Sequence, residues 1–135
     1  MIERIMAPGT FHQAPYCHAA RAGDFLFVTG QIAADPATGE YVLGDIETET
    51  RRVMDNLKIV LEEAGFGLHD VVSARAFLTR FDEEYDAFNR VYAEYMGEFL
   101  PTRTTIGVVA LAAGARVEVD LVAWRDRSGR EWARR

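Results

Sequence analysis

The chain has 135 residues, 49% of them hydrophobic and 27% charged, which suits one domain with a sizeable core and is too apolar for intrinsic disorder. Its longest apolar stretches, such as residues 108–113, fall far short of the roughly 20 residues a bilayer crossing needs, so no membrane partner is expected. The start, Met1-Ile2-Glu3-Arg4-Ile5, lacks the apolar run of a secretory signal, and a cytoplasmic location is expected.

The net charge of −6 is unevenly spread. Residues 125–135 hold five arginines against Asp126 and Glu131, which leaves −9 on residues 1–124. An acidic body repels a phosphate backbone, so no nucleic-acid partner is expected. The division predicted is a single domain over 1–124 and a solvated Arg-rich tail over 125–135. Cys17 is the single cysteine, which excludes an intramolecular disulfide and a Cys-rich zinc site. His12, His18 and His69 show no ligand spacing, and no metal is expected.

In chain order, Asp24 to Gly30 is a short apolar, aromatic run that reads as a buried strand, and Asp35-Pro36-Ala37-Thr38-Gly39 reads as a turn. A helix follows from a cap at Asp45, with Val53, Leu57, Val60, Leu61 and Ala64 on one face and Gly65 at its end. Residues 70–79 read as a strand. A second helix is predicted from about Glu83 with Asp82 as its cap and Gly97 as its stop; Tyr85, Phe88, Tyr92 and Tyr95 form its packing stripe. Residues 102–109 and 115–124 read as strands, the latter with Val117, Val119, Leu121 and Ala123 facing one way and Arg116, Glu118 and Asp120 the other. The order fits an α+β sandwich, a mixed β-sheet with two helices packed on one face.

The last two strands are separated by a short turn, so a hairpin is expected, with Arg103 opposite a residue between 118 and 121. Arg103 and Glu118 would then start from neighbouring positions on one sheet. That is either a guanidinium fork for a ligand carboxylate beside a proton-accepting glutamate, or an ordinary cross-strand ion pair. The chain carries no nucleophile elbow, Walker loop or dinucleotide fingerprint that would compete.

Read in order, Ala14-Pro15-Tyr16, Phe27-Val28-Thr29-Gly30-Gln31-Ile32, Asp35-Pro36-x-Thr38-Gly39-Glu40, Asn56-Leu57 and Leu61-Glu62-x-Ala64-Gly65 resemble the Rid (reactive-intermediate deaminase, YjgF-like) family. So do Phe77-Leu78-Thr79, Asn89-x-x-Tyr92, Pro101-x-Arg103-Thr104 and Val117-Glu118-Val119. The resemblance implies a chorismate-mutase-like α+β fold, a homotrimer with sites in clefts between subunits, and hydrolysis of enamine/imine intermediates such as 2-aminoacrylate to 2-oxo acids and ammonia, without a cofactor. It implies catalytic roles for Arg103, Glu118 and Tyr16: Arg103 grips the substrate carboxylate, Glu118 activates water and Tyr16 shapes the pocket. It also implies that Thr29, Gly30 and Thr105 line the substrate site. Cys17 and His18 depart from the family's usual Ser-Gln, which bears on the pocket rim. The competing functions are a non-catalytic, carboxylate-binding or chaperone-like trimer and a ribonuclease, the latter disfavoured by the acidic body.

Overall fold

The computed structural model describes residues 1–7 and 14–126. Its main elements are β1 (Ile2–Ile5), β2 (Ala19–Ala22), β3 (Phe25–Gln31), α1 (Ile46–Glu63), β4 (Val71–Leu78), α2 (Phe81–Met96), β5 (Thr102–Gly107) and β6 (Val117–Trp124). The strands form one mixed sheet in the order β1-β2-β3-β6-β4-β5. Only β4 and β5 pair in parallel, and α2 supplies the crossover that parallel neighbours require. The two helices lie against each other on one face of this sheet, α1 over β3 and β6 and α2 over β4. The expected α+β sandwich is therefore present.

Helix α1 starts where the sequence places it. The Asp45 carboxylate accepts the Thr48 amide at 2.8 Å, and Glu47 and Glu49 favour the positive end of the dipole. Val53, Leu57, Val60 and Leu61 are fully buried, and burying such a side chain stabilises the fold by about 2 kcal/mol. Its C-terminal carbonyls find cations from elsewhere in the chain. Arg21 donates to Ala64 O at 3.2 Å and Arg125 to Gly65 O at 2.9 Å. Arg125 is thus fastened to the domain, whereas residues 127–135 of the basic tail lie outside the described residues.

Helix α2 begins at Phe81, earlier than the sequence suggests. Arg80 is the N-cap residue and makes no side-chain cap, so Asp82 sits inside the first turn with Glu83 and Glu84. The Phe81 ring stacks on Tyr85, one turn along, with centroids 4.7 Å apart; that contact favours the extra turn. Gly97, at φ +58°, ends the helix as predicted.

The expected β5–β6 hairpin does not form. Both strands pair with β4, β5 in parallel and β6 antiparallel, so β4 lies between them. The nine residues 108–116 are long enough to step across one strand, a distance of roughly 10 Å. Two further strands, β1 and β2, were not legible. Ala19-Ala20-Arg21-Ala22 has little strand propensity and forms a strand by pairing with β3 through the tight turn at Gly23, whose φ is +61°.

The alternation of β6 is as read from the sequence: Val117, Val119, Leu121 and Ala123 are buried beneath the helices. Among the described residues no helix covers the opposite face of the sheet, and Phe25, Phe27 and Val72 are each about half exposed there. Among the described residues no helix is long and apolar enough to cross a membrane.

Arg116 departs from the expected strand face. It sits at a bend before β6 and turns to the helical layer. Its amide donates to Glu49 Oε1 at 2.9 Å, its Nε to Gly44 O at 2.9 Å and its Nη1 to Glu84 Oε2 at 2.9 Å. One guanidinium thereby ties α1, α2 and the start of β6. Glu49 is 2% exposed, and removing the cation would strand two buried carboxylates. Arg116→Met is expected to lower unfolding stability by about 3–5 kcal/mol in urea denaturation. A loss below about 1 kcal/mol would mean that the carboxylates find other partners or water.

Candidate functional site

Gly30 and Glu118 come together because β3 carries a bulge. Val28 pairs with Leu121 and Gln31 with Val119, so Thr29 and Gly30 span one more residue than β6 does opposite them. Asn56 fixes the chain just beyond. Its amide donates to Ile32 O at 3.3 Å and Ala34 O at 2.8 Å, and its oxygen accepts from Arg52 Nε. The bulge lies against the Glu118 side chain so closely that a β-carbon on Gly30 would overlap the carboxylate, lying 2.9 Å from Cδ. A larger residue at this position would displace the Glu118 carboxylate from its present place.

Glu118 projects from the helix-free face beside Asp120. Among the described residues its carboxylate makes no hydrogen bond or ion pair. Asp120 itself is held bidentately by Arg75, with Nε–Oδ1 at 3.0 Å and Nη2–Oδ2 at 2.6 Å. Burial raises the Glu118 pKa above the usual carboxylate value, Asp120 raises it further, and Arg75 lowers it. Neither Arg103 nor Arg116 faces Glu118. Arg75 is the nearby cation, and burial outweighs it.

Arg103 lies on the other face. Its register partner Ala74 is a core residue, and its side chain extends toward α2. Nη2 donates to Asn89 Oδ1 at 2.7 Å and to Tyr85 Oη at 3.4 Å. The guanidinium carbon is 4.7 Å from the Tyr92 ring centroid, 5.3 Å from that of Phe88 and 5.9 Å from that of Tyr85. Thr105, two residues on, faces the same way with a buried hydroxyl lacking a partner among the described residues. Within one chain, then, Arg103 and Glu118 do not meet. The idea of neighbouring positions on one sheet face is overturned together with the hairpin on which it rested.

The remaining predicted positions line the helix-free face near the bulge. Cys17, Thr29 and Gly30 border a shallow depression of about 540 Å³ whose floor includes Arg75, Asp120 and Val122. Tyr16 is 49% exposed beside it in sequence. His18 is structural: it is buried, and its Nδ1 accepts the Ala7 amide at 2.8 Å. The Thr29 amide donates to His18 O at 2.9 Å, so the Tyr16–His18 segment is tied to the bulge. His12 lies outside the described residues. Sequence reasoning missed Asn89 as a partner of Arg103 and Arg75 as a partner of Asp120. It read the α2 aromatic stripe chiefly as packing, and three of its rings surround Arg103.

Comparison with known proteins places this arrangement in a family. The family model for endoribonuclease L-PSP matches residues 7–125. A RutC family protein of Pyrococcus horikoshii is 42% identical over 112 residues, covering 83% of this chain and 88% of the relative. A 2-iminobutanoate/2-iminopropanoate deaminase of Dermatophagoides farinae is 34% identical over 108 residues, covering 80% of this chain and 84% of the relative. A crystal structure of a Rid family protein of unknown function from Yersinia pestis superposes with a TM-score of 0.88 at 33% identity, covering 93% of this chain and all of that one. The chain belongs to the Rid (YjgF/RutC) family, and its sandwich is the chorismate-mutase-like fold of that family.

The raised pKa of Glu118 has a consequence for stability. The folded chain holds this proton more tightly than the unfolded chain, so the group favours folding below its unfolded pKa. That advantage is lost as pH rises through the folded value. Glu118→Gln, a permanently neutral stand-in, is expected to raise Tm over wild type at pH 7, with the gap closing toward pH 4. Equal Tm values at pH 7 would show that the carboxylate is not penalised by burial.

Proposed function

We propose that this protein is a deaminase that hydrolyses small carboxylate-bearing enamines and imines to 2-oxo acids and ammonia. The observation that carries the reading is a pair of unmatched charges: Arg103 has no carboxylate partner and Glu118 no cation bound to it among the described residues. A half-buried guanidinium with no counter-ion is suited to a planar carboxylate, which it can grip through two parallel N–H donors. An unpaired, partly desolvated glutamate beside a backbone bulge is suited to taking a proton from water.

In this reading the substrate carboxylate sits on Arg103, with the Thr105 hydroxyl as a further donor. Water attacks the imine carbon while Glu118 accepts its proton, and the Gly30 amide and Thr29 border the reacting atoms. The resulting carbinolamine takes that proton back from Glu118 onto nitrogen, and ammonia leaves as the hydroxyl proton passes to the carboxylate, giving the 2-oxo acid. Tyr16 forms the rim and assists proton transfer. No cofactor is required by this balance. The name of the Dermatophagoides farinae relative supports the reaction class.

The two charges lie on opposite faces of one sheet, so they serve one substrate only if they come from different chains. The half-exposed apolar residues Phe25, Phe27 and Val72 on the helix-free face favour a second copy there. We therefore propose a cyclic homotrimer in which Arg103 of one protomer completes the Glu118 side of the next. Light scattering should give about three times the mass of one chain, and a monomer at micromolar concentration would remove the composite site.

Activity is read as ammonia released when the protein is added to a serine or threonine dehydratase that generates the imine. Glu118→Gln should keep the assembly and 2-oxo acid binding while losing deamination by about two orders of magnitude or more. Arg103→Lys retains the charge without the fork and should lose most of both. Parental deamination by the Gln variant would overturn the glutamate's role. Binding of 2-oxo acids with no ammonia release by wild type would favour a carboxylate-binding protein instead.

A further inference from the structure

Among the described residues, four arginines are paired with carboxylates. Arg51 pairs with Glu94, Arg75 with Asp120, Arg90 with Glu47, and Arg116 with Glu49 and Glu84. Arg103 instead is surrounded by neutral groups: three aromatic rings and the side-chain oxygen of Asn89. Phe88 is fully buried and Tyr92 is 5% exposed, so both rings are fixed in the core before any ligand arrives. They sit one helical turn apart on α2, and their own centroids are 5.7 Å apart.

We propose that Phe88 and Tyr92 are positioning residues whose ring faces hold Arg103 aimed and unneutralised for a ligand carboxylate; this rests on the reading of Arg103 as the carboxylate fork. The negative face of a ring attracts a guanidinium and excludes water from one side of it, yet carries no net charge that would cancel it. A glutamate at either position would hold the arginine as firmly and would also quench it. Asn89 fixes Nη2 alone, and Nε and Nη1 have no partner among the described residues, so donors remain free for a planar anion. Burial also raises the Tyr92 hydroxyl above its ordinary pKa, which keeps that ring neutral beside the cation. Its hydroxyl is buried without a partner among the described residues, so the ring rather than the hydroxyl is the part the site uses. Ordering the guanidinium in advance removes an entropic cost that a free arginine would meet on binding.

The test uses the intact protein and two readouts. One is the order of the Arg103 Nε–Hε bond from nitrogen-15 relaxation without ligand, and the other is the affinity for pyruvate by titration. Wild type should show an ordered Nε–Hε. Phe88→Leu and Tyr92→Leu should each loosen it and weaken pyruvate binding by about tenfold, while Tyr92→Phe recovers both to within about threefold. Folded Leu variants with unchanged order and affinity would overturn the proposal. So would a Tyr92→Phe variant as impaired as Tyr92→Leu, because the hydroxyl would then be the operative group. If the Leu variants fail to fold, Tyr85→Leu, which removes the half-buried ring 5.9 Å from the guanidinium, is read in the same way. Absence of pyruvate binding by wild type would count against the carboxylate reading, while the relaxation data would still decide whether the rings seat the arginine.

Discussion

Because β5 runs parallel to β4 at the edge of the sheet, Arg103 faces α2, while Glu118, on the far side of β4, faces away from both helices. A parallel neighbour can only be reached by a crossover, and α2 is that crossover. The same helix that makes the pairing possible thus supplies the rings and the amide on which Arg103 rests. The sheet separates two opposite charges that a hairpin would have joined. Had β5 and β6 paired directly, the two would have had the chance to neutralise each other as a surface ion pair worth about 0.2–1 kcal/mol. Separated, both remain without an oppositely charged partner bound to them among the described residues.

Around these two groups the structure spends its strong interactions on alignment. Arg116 ties β6 to α1 and α2 two residues before Glu118. Asn56 ties α1 to the segment just after the β3 bulge, on which Gly30 sits. Arg75 satisfies Asp120, so the carboxylate left over on that face is Glu118. Several buried polar atoms have no partner among the described residues: the hydroxyls of Tyr92 and Thr105 and one oxygen of Glu84. Such groups cost stability when left bare.

Much of this was legible in the residues themselves. Strict alternation from Val117 to Ala123 identified the buried face of β6, and the spacing of Val53, Leu57, Val60 and Leu61 identified that of α1, because both patterns report solvent exclusion directly. The order of the short motifs pointed to the family. Beyond β1 and β2, other features were not legible. The hairpin expectation failed because a nine-residue connection does not state how many strands it crosses. The rings of α2 read as ordinary packing, since an aromatic stripe looks the same whether it covers a leucine or a guanidinium. Arg116 read as one charge of a strand face, because a bend just before a strand leaves no mark on the alternation. Each failure concerns contacts distant in sequence, which local pattern does not encode.

The central claim is that one working site takes Arg103 and Glu118 from two different chains. Subunit mixing tests it directly. Arg103→Ala and Glu118→Gln proteins, each inactive alone, would be unfolded together at equal amounts and refolded. In a cyclic trimer built as proposed, each mixed assembly regains one site with both residues intact, and random mixing predicts recovery of about a quarter of wild-type deamination. Recovery of no activity by refolded mixed trimers would contradict the account, because it would place both residues of each site on a single chain.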